Sequence, residues 1–342
     1  EAMSDLVQGA LYPAVKSKDI RGFEAPFAPL NEQKRIADKL DSLLAMMDTC
    51  RVRLDRIPTI LKRFRQAVLS AATSGKLTEE WRTQKGIVTQ AEIEHIQKEK
   101  VSDPYSHVIS APKSWRKLCL GDVCEFIGGS QPPKSMFLHS NGPDLVRLIQ
   151  IRDYKSDRHI TFIPKKLAKR FCNKSDVMIG RYGPPLFQIL RGLEGAYNVA
   201  LMKAHPTTTD LNLEYLYVFL RGDKLLKYVE AGSDRTAGQD GVRKELLHPY
   251  PIFLPTLVEQ QEIVHRVEEL FAYADRIEDR YQAARARIEK LTPAVLAKAF
   301  RGELVPQDPN DEPASVLLER IQKALPATKQ RGRSKTNPAA AS

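Results

Sequence analysis

Long apolar runs are missing from this chain. No stretch approaches the roughly eighteen consecutive apolar residues a membrane-crossing helix needs, and no signal-peptide pattern is found. Cysteine is scarce, with Cys50, Cys119, Cys124 and Cys172 the only four in 342 residues. Cys119 and Cys124 stand too far apart for a CxxC pair and no histidine pair has ligand spacing, which excludes a zinc site and a disulfide framework. A reducing cytoplasm is the expected compartment, and Cys50 reads as a small core residue. Enzyme signatures are equally absent. There is no phosphate-binding GxxxxGK[ST] loop, no GxGxxG after a strand, no GxSxG and no zinc-protease helix. The Asn-Pro-Pro-Tyr run of amino-methyltransferases is also missing, since Gly183-Pro184-Pro185-Leu186 lacks both the Asn and the aromatic residue. Scattered carboxylates such as Asp153 and Asp176 read as surface or turn residues. Acidic residues are outnumbered, 42 against 53 Lys and Arg, leaving a net charge of +11. Such an excess points to a polyanionic partner, with nucleic acid the first candidate.

What is present is a segment written twice. Residues 32–77 and 259–304 match at a constant offset of 227 without a gap. Glu32-Gln33 matches Glu259-Gln260, Ile36 matches Ile263, Ala67-Val68-Leu69 matches Ala294-Val295-Leu296, and both copies close on a glycine, Gly75 and Gly302. Each copy carries a ladder of alternating three- and four-residue steps, the mark of a coiled-coil seam. The first ladder runs Ile36, Leu40, Leu43, Met47, Cys50, Leu54, Ile57, Leu61, Phe64. The second runs Ile263, Val267, Leu270, Ala274, Ile277, Tyr281, Ala284, Ile288, Leu291. Two matching seams in one chain most simply pair with each other. The expected class is α+β: two long helices in an antiparallel coiled coil, plus one mixed α/β domain.

Along the chain this reading gives residues 1–25 as the tail of an earlier domain, 26–77 as the first helical region and 78–112 as a connector. It gives 113–254 as a globular domain, 255–304 as the second helical region and 305–342 as a tail. The offset would place the counterpart of Lys113 over a hundred residues before Glu1, so a first globular domain is expected upstream with residues 1–25 as its tail, where Ser17-Lys18-Asp19-Ile20 resembles Arg243-Lys244-Glu245-Leu246 shifted by one residue. Asn31 is a candidate N-cap, and Thr256 with Glu259 forms a candidate capping box. Pro58 and Pro293 are expected to break the two helices, the first resuming over 59–73 and the second continuing to Gly302. A helical patch is expected at Gln90–Lys100. Strands are expected at Val123–Ile127, Leu145–Ile151, Val177–Ile179 and Ala196–Met202, and helix at Leu211–Leu220. A short helix from Asp311 to Lys323 precedes a basic end of disordered composition.

Residues 113–254 hold 22 Lys and Arg against 14 Asp and Glu, so +8 of the total charge is concentrated there. Four Gly- and Pro-punctuated loops of that domain supply candidate DNA contacts. They are Ser130, Gln131 and Lys134; Arg147, Gln150, Arg152 and Tyr154; Arg181 and Tyr182, followed by Gln188 and Arg191; and Gln239, Arg243 and Lys244. Arg and Lys suit guanine edges or phosphates, and Gln suits adenine edges. Alternation along 147–153 fits a plain strand as well.

With these residues in view the chain resembles the specificity subunit of a Type I restriction–modification system. The resemblance rests on Pro29-Leu30-Asn31-Glu32-Gln33 and Thr256-Leu257-Val258-Glu259-Gln260 opening the long helices, and on the Ala-Val-Leu-x-x-Ala closings followed by Gly-x-Leu. It rests also on Trp115, Leu120-Gly121-Asp122-Val123 and Gly128-Gly129 at the domain's start, and on Leu304-Val305-Pro306-Gln307-Asp308-Pro309 after the second helix. It implies two helices acting as a spacer between two target-recognition domains, each reading half of a split duplex target. A helix of about 42 Å, at roughly 1.5 Å per residue, is comparable to one DNA turn of about 34–36 Å. The resemblance implies a subunit without catalysis of its own or a bound cofactor. S-adenosylmethionine, ATP and Mg would belong to partner modification (methyltransferase) and restriction/translocase subunits. A half-length chain could pair with a second copy to restore two reading heads. The competing readings are the recognition portion of a fused restriction–methyltransferase, which should carry methyltransferase and nuclease motifs, and a structural coiled-coil protein with a basic domain, which should bind DNA without sequence preference.

Overall fold

The structure is a computed structural model that describes residues 24–87, 97–100, 108–233 and 241–324. Its longer helices are α1 Leu30–Leu54, α2 Ile57–Thr73, α3 Glu79–Gln84, α4 Leu213–Leu220, α5 Asp223–Gly232, α6 Leu257–Phe300 and α7 Ala314–Ala324. Its strands are β1 Gln97–Lys100, β2 Val108–Ala111, β3 Arg116–Cys119, β4 Cys124–Gly128, β5 Leu145–Ile149, β6 Phe162–Pro164, β7 Phe171–Cys172, β8 Val177–Gly180, β9 Gln188–Leu190, β10 Gly195–Tyr197, β11 Leu201–Pro206 and β12 Pro251–Leu254. The described residues fall into two compact units. One holds those up to Ile57 and from Asp279 onward, the other Pro58–Glu278.

In the first unit α1 lies antiparallel to the later part of α6. Met47 faces Thr292, whose hydroxyl is 3.9 Å from the Met47 sulfur, and earlier in α1 Arg35 pairs with Asp311 beyond the end of α6 at 2.7 Å. The Asp311 carboxyl is held below the usual range by its hydrogen bond from Arg35. Met47, Tyr281 and Ala299 are buried here, while Ile36, Leu40, Leu43, Leu54, Ile57 and Ile288 are half-buried. Two expected seam residues leave the interface. Cys50 is exposed, and Leu291 is 46% exposed, its place taken by Thr292 and Val295. A helix of 3.6 residues per turn drifts about 20° per heptad from a strict 3.5 repeat, so the ladder slips one residue toward its end.

The helix boundaries correct three expectations. Pro29, not Asn31, occupies the N-cap position of α1, and Gln33 ties the approach by donating Nε2 to the Ala28 carbonyl at 2.7 Å. The break between α1 and α2 comes at Asp55 and Arg56, which leaves Pro58 in the first turn of α2, where its missing N–H has no intrahelical partner to lose. Pro293 does not end its helix: α6 runs on to Phe300. The strong formers Ala294, Leu296, Ala297 and Lys298, with Val295 and Ala299 turned inward, outweigh one lost hydrogen bond.

In the second unit α2 packs antiparallel to the earlier part of α6, and this pair carries the globular domain. Arg65 bonds Asp275 and Glu278 at 2.7 and 2.9 Å. Val68, Leu69, Ala72, Ile263 and Val267 belong to the same buried cluster as Trp115, Phe126, Tyr215, Leu220 and Phe253. Leu61 and Ala274 are buried as expected, and Leu270 and Ile277 half-buried. Helix and domain therefore share one core. The strands form two four-stranded sheets, β6-β5-β10-β7 and β4-β11-β8-β9, and two two-stranded pairs, β12-β3 and β1-β2. The expected strand Ala196–Met202 is two strands, β10 and β11, separated by a turn at Asn198–Ala200. β5 stops at Ile149 because the Asp153 carboxylate accepts a bond from Gln150 N at 3.1 Å and starts a tight helical turn. Where a helix is expected, Gln97–Lys100 is a strand paired with Val108–Ala111, a partner that outweighs the helix preference of its Glu and Lys.

The capping box at Thr256 is only half formed. Glu259 N reaches the Thr256 hydroxyl at 3.4 Å, but the Glu259 carboxylate is used elsewhere. It accepts from Arg82 Nη1 at 2.5 Å, Thr78 Oγ1 at 2.8 Å and Trp115 Nε1 at 3.0 Å. Arg82 also donates to the Gly75 carbonyl at 2.6 Å. Beside it Gln260 donates to the carbonyls of Pro255 and Asp210 and accepts from Asn212 N. Glu259 and Gln260 are thus a clasp that fastens the domain to the helix pair.

Candidate nucleic-acid interface

The turn at Asn198–Ala200 gathers the loops that composition singled out. Its Asn198 Oδ1 accepts from Ala200 N at 3.2 Å, and Asn198 N donates to the Ile149 carbonyl at 3.1 Å, which brings in the segment containing Gln150 and Arg152. Ser130 N donates to the Tyr197 carbonyl and Gly129 N to that of Leu201, which brings in the loop of Ser130, Gln131 and Lys134. A side chain at position 129 would overlap the Asn198 carbonyl, so the approach requires glycine. Arg181 N donates to the Ala200 carbonyl at 2.9 Å, and its guanidinium to the carbonyls of Val199 and Val242. Val242 N returns a bond to the Arg181 carbonyl at 3.0 Å, which brings in Arg243 and Lys244. Four loops distant in sequence therefore meet at one turn.

Their side chains differ in what they can offer a ligand. Gln131, Lys134, Arg152, Arg243 and Lys244 are exposed, and Arg181 stacks over the Tyr182 ring at 5.3 Å. Gln150 donates to Thr161 and Gln188 to the Pro185 carbonyl. Arg147 bonds Asp157 at 2.9 Å and has its Nε 4.0 Å from the fully buried Asp153 carboxylate, whose other oxygen lies 3.9 Å from Arg152 Nε. Burial, opposed by these arginines, raises the Asp153 carboxyl above its ordinary range. Tyr154 packs with Ile149, Cys172, Met178, Tyr197 and Leu201, its buried hydroxyl without a hydrogen-bond partner among the described residues. Arg191 is drawn away from the turn. It forms a two-pronged pair with Glu214 at 2.5 and 2.7 Å and lies over the Tyr217 ring. Gln239 lies outside the described residues.

Comparison with known proteins decides the family. Residues 112–284 match the family described as the Type I restriction modification DNA specificity domain. The chain is 32% identical to the Type I restriction enzyme EcoKI specificity subunit of Escherichia coli strain K12, over 94% of this chain and 68% of that one. The chain belongs to the Type I restriction–modification specificity-subunit family. It is also 33% identical to the EcoBI specificity subunit of Escherichia coli, over 90% of this chain and 66% of that relative. It thus spans about two thirds of the length of these family members. The fold matches a chain from a study of complex assembly and conformational transition in the type I R-M system, with a TM-score of 0.59 at 21% identity, covering 86% of this chain and 66% of that one. It matches the HsdS subunit of Thermoanaerobacter tengcongensis with a TM-score of 0.52 at 22% identity, covering 88% and 68%.

Sequence reasoning missed two parts of this specificity-subunit surface. One is the turn itself, hidden inside an apolar run that reads as one strand, its only signal being Asn198. The other is Lys165, Lys166, Lys169 and Arg170, four exposed bases in six residues, tied to the turn by the bond from Tyr197 N to the Arg170 carbonyl. Their density in the sequence was a usable signal. Among the described residues there is no group of three or more His, Cys, Asp or Glu placed to hold a metal, and no helix long and apolar enough to cross a membrane. Burial pushes the Cys124 thiol up to about 12 and the Cys172 thiol to about 11, whereas Cys50 and Cys119 are exposed. Titration of the native protein with a thiol-reactive disulfide at pH 8 should therefore modify two cysteines promptly, and all four only after denaturation.

Proposed function

We propose that this chain is the DNA-reading component of a Type I restriction–modification complex. It binds duplex DNA with sequence preference, and partner subunits carry out methylation and cleavage. The observation that carries this reading is the convergence of four loops and a basic segment on one turn of a domain holding +8 of net charge. Exposed Arg152 and Gln131 offer base-edge contacts, and exposed Lys165, Lys166, Lys169 and Arg170 offer phosphate contacts. S-adenosylmethionine, ATP and Mg would be held by the methyltransferase and translocase partners. The helix pair would space two reading heads along the duplex and present its outer faces to those partners. The relatives matched are specificity subunits rather than fused enzymes.

The test is equilibrium binding to duplexes of varied sequence over a range of salt. Replacing Lys165, Lys166, Lys169 and Arg170 together by Ala should weaken binding to all duplexes alike. It should also flatten the plot of log K against log salt by about 0.9 for each phosphate no longer neutralised. Arg152→Ala should instead cost about 1–3 kcal/mol on the preferred duplex alone. Binding indifferent to sequence in the unaltered protein would reject the proposal in favour of a coiled-coil scaffold with a basic domain.

A further inference from the structure

One carboxylate beneath the converging loops is buried without its full set of partners. After β5 the chain makes a tight helical turn, Ile151–Tyr154, because Asp153 Oδ2 accepts from Gln150 N at 3.1 Å. The turn is pinned from several sides. Asn198 N donates to the Ile149 carbonyl at 3.1 Å and the Gln150 side chain to the buried Thr161 hydroxyl at 3.2 Å. Lys155 N and Ser156 N donate to the Arg152 carbonyl at 3.0 and 3.3 Å.

The two oxygens of Asp153 are used unequally. The side chain has 0% exposure, so it cannot touch a ligand itself. Oδ2 serves Gln150 N and lies 4.0 Å from Arg147 Nε, while Arg147 bonds Asp157 through Nη2 at 2.9 Å. Oδ1 has no hydrogen-bond partner among the described residues. Arg152 Nε stands 3.9 Å from it, within ion-pair range and about 1 Å beyond a hydrogen bond. A buried acceptor left without a donor costs free energy, which favours closing that gap. Burial raises the Asp153 carboxyl against the pull of both arginines, so a closer guanidinium would favour its charged form.

Arg152 is the outward half of the arrangement, its side chain 52% exposed. A free arginine samples many rotamers, and ordering it on a ligand costs conformational entropy. A bond through Nε fixes the guanidinium plane and leaves both Nη groups free, the pair suited to guanine O6 and N7. We propose that Asp153 is a positioning residue, which holds Arg152 through Nε so that this arginine reads a guanine in the major groove of duplex DNA. The inference deepens the DNA-reading role proposed above and rests on it.

The test selects duplexes from a random-sequence pool on the full chain, then exchanges each base pair of the preferred duplex in turn. Arg152→Ala should relax the preference at one G·C pair about tenfold. Asp153→Asn keeps an oxygen to cap Gln150 N but carries no charge, and should relax the same pair at least fivefold. Its binding to duplexes already lacking that guanine should hold or strengthen, because a negative charge is gone. With Arg152→Ala in place, Asp153→Asn should change the preference no further. Equal weakening on every duplex would reduce Asp153 to a turn cap and overturn the proposal. So would relaxation by the two variants at different pairs, or at a pair without guanine. Should Asp153→Asn fail to fold, the Arg152 Nε–H resonance of the unaltered chain decides, identified by its loss in Arg152→Lys. It should shift and exchange more slowly with water when the preferred duplex is added, and an unmoved signal overturns the proposal. No sequence preference in the unaltered chain removes this inference and the DNA reading together. A preference that survives Asp153→Asn intact removes this inference alone.

Discussion

Glu259→Ala should destabilise the second unit by about 3–5 kcal/mol, the range for breaking a buried ion pair by removing one member. Three donors converge on that carboxylate, and two of their owners, Arg82 and Trp115, are 5% and 4% exposed. Without Glu259 the guanidinium stays buried, keeping only Thr78 and the Gly75 carbonyl, and the indole N–H loses its acceptor. Urea denaturation followed by tryptophan fluorescence is well suited to the measurement, because Trp81 and Trp115, the chain's two tryptophans, both lie in this unit. Glu259→Leu combined with Arg82→Met should recover most of the loss, since hydrophobic replacement of a whole buried pair is close to neutral. A midpoint for Glu259→Ala within about 1 kcal/mol of the parent would show that the clasp contributes little.

Gly75→Ala should cost about 2–4 kcal/mol and Gly302→Ala only about 1 kcal/mol. Both residues have left-handed backbone, where a Cβ adds about 1 kcal/mol or slightly more. At Gly75 the added methyl also collides with the Pro112 ring, an overpacking cost of about 1–3 kcal/mol, whereas the space beside Gly302 is open. Fluorescence reports the first variant and circular dichroism the second. Equal losses would mean that Pro112 yields easily and that the domain is held by the clasp alone.

The helical part of this fold was legible in the sequence because its signals are local. A seam recurs every three or four residues, and the glycines at its ends need only their own backbone to stop a helix. The same locality misleads at Pro293, where the residues that carry the helix onward act by packing. Within the globular domain the strands near Val123, Leu145 and Val177 could be read from apolar runs between Gly, Asp and Asn. The turn at Asn198 could not, because a two-strand arrangement is chosen by partners far along the chain. Arg191 shows the limit for site residues. Nothing near it in sequence indicates that Glu214 and Tyr217 will occupy it, while Arg152, whose Nε is 3.9 Å from the buried Asp153 carboxylate, keeps an exposed side chain. The clasp is the extreme case, since Trp115 and Glu259 meet across 144 residues.

The fastenings at the Asn198 turn are for the most part made by main-chain atoms: Gly129 N, Ser130 N, Arg181 N and Asn198 N to the carbonyls of Leu201, Tyr197, Ala200 and Ile149. Main-chain groups are the same whatever residue bears them. Gln131, Lys134 and Arg152 can therefore be exchanged for other side chains while the frame keeps its shape, and each exchange presents a different pattern of donors and acceptors. Under the proposed DNA-reading role, a frame wired in this way lets reading preference be changed one surface side chain at a time without loss of the fold.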